Sequence, residues 1–180
     1  MNNNANLPRW IEPRKMAEKR VQLVGQIPLA SLTRLNELQE QKQGEVDLAI
    51  DFFLDEQGVT CIQGQISTEV WLTCQRCLEP YQQFIAAKFI LSPVTNDREA
   101  AMLPAPYEPL LVANTVVELA AVVEDEILLG IPIVTKHAPE NCVVAVSYNT
   151  AGSEELITNE KVNPFKVLAG LKTNKRGPSK

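Results

Sequence analysis

The chain reads as an α+β domain built on a predominantly antiparallel sheet. Two observations carry that reading. Between Gly44 and Asp55 the apolar residues Val46, Leu48, Ile50, Phe52 and Leu54 alternate with Asp47, Ala49, Asp51, Phe53 and Asp55, the period of a strand with one face inward. Over residues 115–130 the period changes to that of an amphipathic helix, with Val116, Leu119, Ala120, Val123 and Ile127 forming a stripe closed by Gly130 and Pro132. Strands that turn back on themselves across short polar links, with helices set apart from them, point to antiparallel pairing and helices packed to one side.

Size and composition fit a single globular domain with extended ends. The 180 residues are 45% hydrophobic, and a chain of that length buries roughly 70% of its unfolded surface. Four divisions are expected: a basic irregular arm over 1–19, a globular domain over 20–148, a flexible linker over 149–162, and a short helix with a basic tail over 163–180. The first residues lack the charged and apolar regions of a signal peptide, and no apolar run approaches the ~20 residues of a membrane span. A cytoplasmic location is the consequence. In that reducing compartment the four cysteines are expected to serve metal, redox or packing roles instead of forming disulfides.

Along the chain, Pro8, Pro13 and mixed charges mark the arm, and Val21 and Leu23 begin a short strand over 20–27. Pro28 opens a segment with Leu29, Leu32, Leu35 and Leu38 at three-residue spacing, which predicts a short leucine-striped helix over 28–41. After the alternating strand, Glu56-Gln57-Gly58 supplies a turn, and the return strand from Val59 shows a slip of apolar parity near Gly64 that a bulge would repair. Cys61 then shares the inward side with Val59 as a small core hydrophobe. Ile85, Ala87, Phe89 and Leu91 alternate with Phe84, Ala86 and Ile90, so the next strand is expected to be covered on both faces until Pro93.

The proline-rich stretch 94–109 is a connection, extended at Tyr107-Glu108-Pro109. Thr115-Val116-Val117-Glu118 has the form of a capping box for the long helix. The carboxylates Glu118, Glu124, Asp125 and Glu126 are expected to be solvated, with binding of a basic protein or a cation as the less favoured reading. Asn163-Pro164-Phe165 starts the final short helix.

The chemistry concentrates at Cys74-Gln75-Arg76-Cys77. Two thiols three positions apart suit a tetrahedral metal corner or a redox dithiol, and spacing alone does not choose. Downstream, His137 and Cys142 can add a nitrogen and a third sulfur, giving a candidate set of Cys74, Cys77, His137 and Cys142 for one structural zinc ion. The redox reading wants the pair at a helix N-terminus, whereas Leu78-Glu79-Pro80 leads into a strand. Arg76 is the basic group placed by a rigid element, available to a nearby carbonyl or carboxylate, or to an RNA or partner contact.

Charge is divided along the chain. Residues 1–20 carry five basic and two acidic side chains and residues 161–180 six basic and none acidic, whereas the 140 between hold 6 basic and 20 acidic. An acidic body repels a phosphate backbone, so direct RNA contact is expected from the ends, with Lys172, Lys175 and Arg176 the candidates. A single histidine, with no phosphate loop, nucleophile elbow or paired-histidine motif, argues against an enzyme and against a small-molecule substrate.

Several of these motifs occur together in one order: Cys74-Gln75-Arg76-Cys77 with Pro80, Leu91-Ser92-Pro93-Val94, Leu103-Pro104 before Tyr107-Glu108-Pro109, Val123-Glu124-Asp125-Glu126-Ile127-Leu128 leading to Pro132, and Asn163-Pro164-Phe165-Lys166-Val167-Leu168-Ala169. With His137 and Cys142, that ordered set resembles the bacterial YceD family, the large ribosomal RNA subunit accumulation proteins. The resemblance implies a non-enzymatic factor supporting synthesis, processing or stability of large-subunit ribosomal RNA, with that RNA or its ribosomal proteins as partners. Where some members look as though they carry a second cysteine pair, this chain has His137 and Cys142. An alternative is a zinc-stapled interaction module that acts on a ribosomal protein or nuclease without touching RNA.

Overall fold

A computed structural model describes residues 7–39 and 41–142, all within one compact unit, Met1–Val144. The expected linker, final helix and basic tail lie outside the described residues, as do Lys172, Lys175 and Arg176.

The N-terminal segment is the first departure from expectation. In place of an irregular arm over 1–19, Trp10–Ile11 forms a strand, β1, and Pro13–Glu18 a helix, α1, with proline in its first turn. The reason is apolar: Ile11 and Ala17 are each about 1% exposed, and burying them outweighs the solubility of the intervening charges.

Gln22–Pro28 follows as β2. The leucine stripe does not make one helix over 28–41. Pro28 ends a strand, paired with Glu45. The stripe then divides between a 3-10 turn at Leu29–Ser31 and a single α-turn, α2, at Leu35–Leu38. Leu29, Leu32 and Leu35 are fully buried, while Leu38 is 56% exposed, so three of the four leucines act as core.

The strongest alternation becomes β3, Glu45–Leu54, with Val46, Leu48, Ile50 and Phe52 inward. Asp55 shapes the turn that follows: its Oδ1 accepts from the backbone of Gln57 at 2.9 Å and Val59 at 2.7 Å, and Gly58 takes a φ of +80°. The return strand β4, Thr60–Thr73, keeps an unbroken register against β3 from Leu54↔Thr60 to Asp47↔Ser67. The bulge expected at Gly64 is absent.

Gly64 has another cause. It lies opposite Phe89 of β5, Pro80–Val94, and a Cβ at Gly64 would stand 2.1 Å from Phe89 Cζ. The glycine is the space that the ring occupies. The inward residues of β4 are therefore Ile62, Ile66, Val70 and Leu72. Cys61, paired with Phe53, takes the opposite face, where it is fully buried beside Tyr107, whose hydroxyl donates to Asp55 Oδ2 at 2.8 Å. β5 is likewise covered on one side only along its first half. Ile85 and Phe89 are buried, but Phe84 is 61% exposed and Ala86 also faces solvent.

Asp97–Ala100, α3, is capped by Asn96, whose side chain accepts from Glu99 N at 3.0 Å. Glu108–Leu111, β6, pairs parallel to β5 and completes a sheet in the order β2-β3-β4-β5-β6 with otherwise antiparallel neighbours. Val117–Glu118, β7, pairs with β1 in a second, two-stranded sheet. The expected capping box is thereby lost: Glu118 is spent on the strand and on Arg9, whose Nε donates to it at 3.0 Å, and the helix α4 runs from Leu119 to Gly130.

Leu119, Val122, Val123 and Ile127 of α4 join the core on the inward face of the sheet. The carboxylates of α4 are not a uniformly solvated face. Glu124 is 5% exposed and accepts from Leu35 N at 3.0 Å and Arg34 Nε at 2.9 Å, so a residue 89 positions away caps the otherwise uncapped α2. Among the described residues, no helix is long and apolar enough to cross a membrane.

Candidate metal centre

β4 ends at Thr73 and β5 begins at Pro80, leaving Cys74 to Glu79 to reverse the chain. Cys74 N donates to Glu79 O at 2.9 Å and Leu78 N to Cys74 O at 2.8 Å, a tight turn that requires Leu78 to adopt a φ of +65°. A leucine in the left-handed region carries local strain, which the surrounding contacts must hold. The turn brings the Cys74 and Cys77 thiols to one side.

The second half of the site arrives from beyond α4. Thr135 anchors it, accepting from Gln75 N through its carbonyl at 2.8 Å and donating its hydroxyl to Thr73 O at 2.8 Å. That clasp lays residues 135–142 along the hairpin and presents His137 and Cys142. The ligand atoms of Cys74, Cys77, His137 and Cys142 then all lie within 4.8 Å of one another.

The separations suit a tetrahedral ion. With metal–sulfur bonds of about 2.3 Å and metal–nitrogen bonds of about 2.1 Å, a tetrahedron has S–S edges of about 3.8 Å and S–N edges of about 3.6 Å. Cys74 Sγ and Cys142 Sγ are 3.8 Å apart, and Cys77 Sγ is 3.6 Å from His137 Nε2 and 4.0 Å from Nδ1. Because Nε2 stands 2.8 Å from Asn141 O, the ring is best served by donating from Nε2 and ligating through Nδ1, the usual division of labour in a metal-bound imidazole. Tyr81 covers the ring at 5.4 Å between centroids. All four cysteines are free thiols, and Cys61 stands apart from the group.

The electrostatics favour thiolate at one position. Burial pushes the Cys74 thiol up, but the backbone N–H groups of Cys77, Arg76 and His137 outweigh it and bring the thiol down to about 6. Cys77 moves the other way, raised first by burial and then by its sulfur neighbours. Arg76 is turned inward to the cluster: its Nε donates to Cys142 Sγ at 2.8 Å and its backbone N–H to Cys74 Sγ at 3.4 Å. The expected carbonyl or carboxylate partner is thus a sulfur. Three thiolates around a divalent ion would carry one net negative charge, which Arg76 is placed to offset.

Sequence spacing singled out the four residues of the cluster but not Thr135 or Asn141, whose contacts fix the returning segment and the imidazole. No local pattern distinguishes those two from ordinary surface residues.

Residues 62–172 match the family model described as Large ribosomal RNA subunit accumulation protein YceD. The chain belongs to the YceD family. It is 37% identical over 169 residues to the Large ribosomal RNA subunit accumulation protein YceD of Haemophilus influenzae, covering 92% of this chain and 96% of that relative. No solved structure matches it. The YceD match takes in both halves of the cysteine–histidine cluster, α4 and the β4–β5 hairpin.

Proposed function

We propose that the protein is a non-catalytic, cytoplasmic accessory factor that supports synthesis, processing or stability of large-subunit ribosomal RNA, with one structural zinc ion tying the β4–β5 hairpin to the segment that leaves α4. The observation that carries the ribosomal role is kinship with YceD along 92% of the chain. The zinc assignment rests on four convergent soft or borderline ligands, on a Cys74–Cys142 separation of 3.8 Å that matches a tetrahedral edge, and on a Cys77–His137 Nδ1 separation of 4.0 Å, within about half an ångström of one. Zinc bound there would supply cross-linking of two chain segments. Four protein ligands leave no position for water, so the ion would be structural.

The RNA contact is assigned to the basic tail, through Lys172, Lys175 and Arg176, because the body between residues 21 and 160 is strongly acidic. A second reading, an interaction module that acts on a ribosomal protein or nuclease without RNA contact, is favoured by that same acidity and by the engagement of Arg76 with Cys142. Crosslinking of the native protein in cells separates the two. Adducts to large-subunit ribosomal RNA that disappear on removal of residues 172–180 support direct contact; adducts to protein alone support the second reading. Depletion of the protein should lower large-subunit relative to small-subunit ribosomal RNA, and an unchanged ratio would remove the ribosomal role itself.

A further inference from the structure

Glu126 stands two positions from Glu124 on α4 and is nearly as buried, at 8% exposed. Unlike Glu124, it has no hydrogen bond or ion pair among the described residues. Arg34, the cation that meets the neighbouring carboxylates of α4, is already committed, holding Glu124 through Nε at 2.9 Å and Asp125 through Nη2 at 2.7 Å. Burial, then the charges of Glu108 and Asp125, push the Glu126 carboxyl up. Most of the Glu126 side chain is buried while its carboxylate opens into a cleft with no partner of its own, a partly desolvated charge that a cation entering the cleft would offset.

Glu126 lines a cleft of about 480 Å³ between α4 and the sheet edge. Glu108 of β6 brings a second carboxylate, and Leu91, Leu110, Val122 and Leu129 make the walls apolar. A hydrated metal ion gains little from such walls, since hard cations take oxygen ligands and water. A lysine or arginine side chain fits both parts, its aliphatic stem lying on apolar surface and its charged head meeting carboxylates.

We infer that this cleft is a docking site for a basic protein segment, one cationic side chain of which sets its head between Glu126 and Glu108. Charge complementarity extends beyond the cleft, since residues 21–160 hold 20 acidic and 6 basic side chains. The same excess repels a nucleic-acid backbone and selects a protein over an RNA. Recognition runs through side chains. β6 is the terminal strand of the sheet, but it has four residues and includes Pro109, which removes a backbone donor and leaves a poor template for an added strand. The assignment does not depend on the ribosomal role.

The test uses the full chain and a fluorescein-labelled, end-blocked nonapeptide of alternating arginine and alanine, read by anisotropy at about 0.1 M salt, where diffuse surface attraction is screened beyond about 10 Å. Glu126→Gln should weaken binding by about tenfold, the scale of one desolvated charge pair. Glu56→Gln, which removes the same charge from the exposed β3–β4 turn, should change it less than about twofold. Glu126→Gln should also melt no lower than the unaltered protein, because it relieves the repulsion from Glu108 and Asp125 on a partly buried carboxylate; a carboxylate that held the fold together would show the reverse. No peptide binding at millimolar concentration, equal losses in both variants, a lower melting temperature for Glu126→Gln, or loss by that variant of binding to a labelled RNA dodecamer in place of the peptide would each overturn the assignment.

Discussion

The inward face of the sheet and the cysteine–histidine cluster are held by opposite kinds of interaction. Across the sheet, Phe52, Ile62 and Leu91 form one continuous row, and Leu23, Ile50, Gly64 and Phe89 the next, with every apolar neighbour contributing a little. At the hairpin, a few directional contacts carry the geometry: two threonine-mediated bonds, one imidazole–carbonyl contact and an arginine–sulfur bond. The first region tolerates change in any one contact only while volume is conserved. The second depends on a small number of atoms, and its strength depends on what those atoms bind.

The largest effect should come from Phe52→Asp. The ring is 1% exposed in the middle of β3, and truncation of a buried phenylalanine alone costs about 3–5 kcal/mol before an unpaired charge is added. The sum rivals the entire stability of an ordinary domain, about 5–15 kcal/mol, so the variant should fail to give a cooperative thermal transition. A normal transition within a few degrees of the unaltered protein would show that the row is not the main support. Gly64→Val should come next. Its Cβ would stand 2.1 Å from Phe89 Cζ and 2.5 Å from Cε2, and Phe89 is itself a buried core residue. We expect a loss of about 3 kcal/mol that shrinks by at least ~1 kcal/mol in a Phe89→Leu background, since residues sharing one space couple in double-mutant cycles. Additive losses would place the strain elsewhere.

The same two regions differ in how far they could be read before the fold was known. Strand β3 was legible because alternation is local: Asp47 and Asp51 declare their face within a few residues. The role of Gly64 was not, because what fills its missing side chain is Phe89, and a bulge was the only local explanation for the slipped parity. Glu124 was misjudged for the same reason, its partners Arg34 and Leu35 lying about 90 positions away. Thr115 to Glu118 had the right local signature for a cap, but pairing of β7 with β1 and the Arg9 contact won. In the cluster, the four residues were legible as residue types and one spacing. Their convergence was not, because it depends on Thr135 meeting Thr73 and Gln75, and nothing in the sequence marks that clasp.

Cys74→Ser tests the cluster as Gly64→Val tests the core. It removes the thiol whose Sγ faces Cys142 at 3.8 Å, while leaving the sheet rows intact. Protein purified without an affinity tag should carry about one equivalent of zinc, and the variant less than a tenth. Ligand linkage at a hundredfold excess over Kd amounts to about 2.7 kcal/mol, so the zinc-loaded protein should melt roughly 5–10 °C above the variant, and chelator treatment should abolish the difference. Because thiolates are the ligands, zinc should be lost on acidification and regained on neutralisation. Equal melting of the two proteins at full zinc occupancy would mean that the cluster binds metal without supporting the fold, which would reverse the comparison.

Arg76→Gln should give the smallest thermal effect and the most specific one. Arg76 is an exposed residue whose side chain touches the cluster through one Nε–Sγ contact at 2.8 Å and joins none of the core rows, so the melting temperature should move by less than about 2 °C. Zinc affinity should respond more. Glutamine keeps a hydrogen-bond donor but removes the positive charge that offsets the one net negative charge of three thiolates around a divalent ion, and outer contacts of this kind are worth about 10-fold to 100-fold in metal affinity. Competition against a chromogenic chelator should show about a tenfold weaker Kd for Arg76→Gln and a smaller loss for Arg76→Lys, which restores charge without the planar donor. A loss in Arg76→Lys as large as in Arg76→Gln would assign the effect to guanidinium geometry instead of charge. Unchanged affinity in both would mean that Arg76 only rests on the sulfur, leaving its side chain available to an RNA or protein partner.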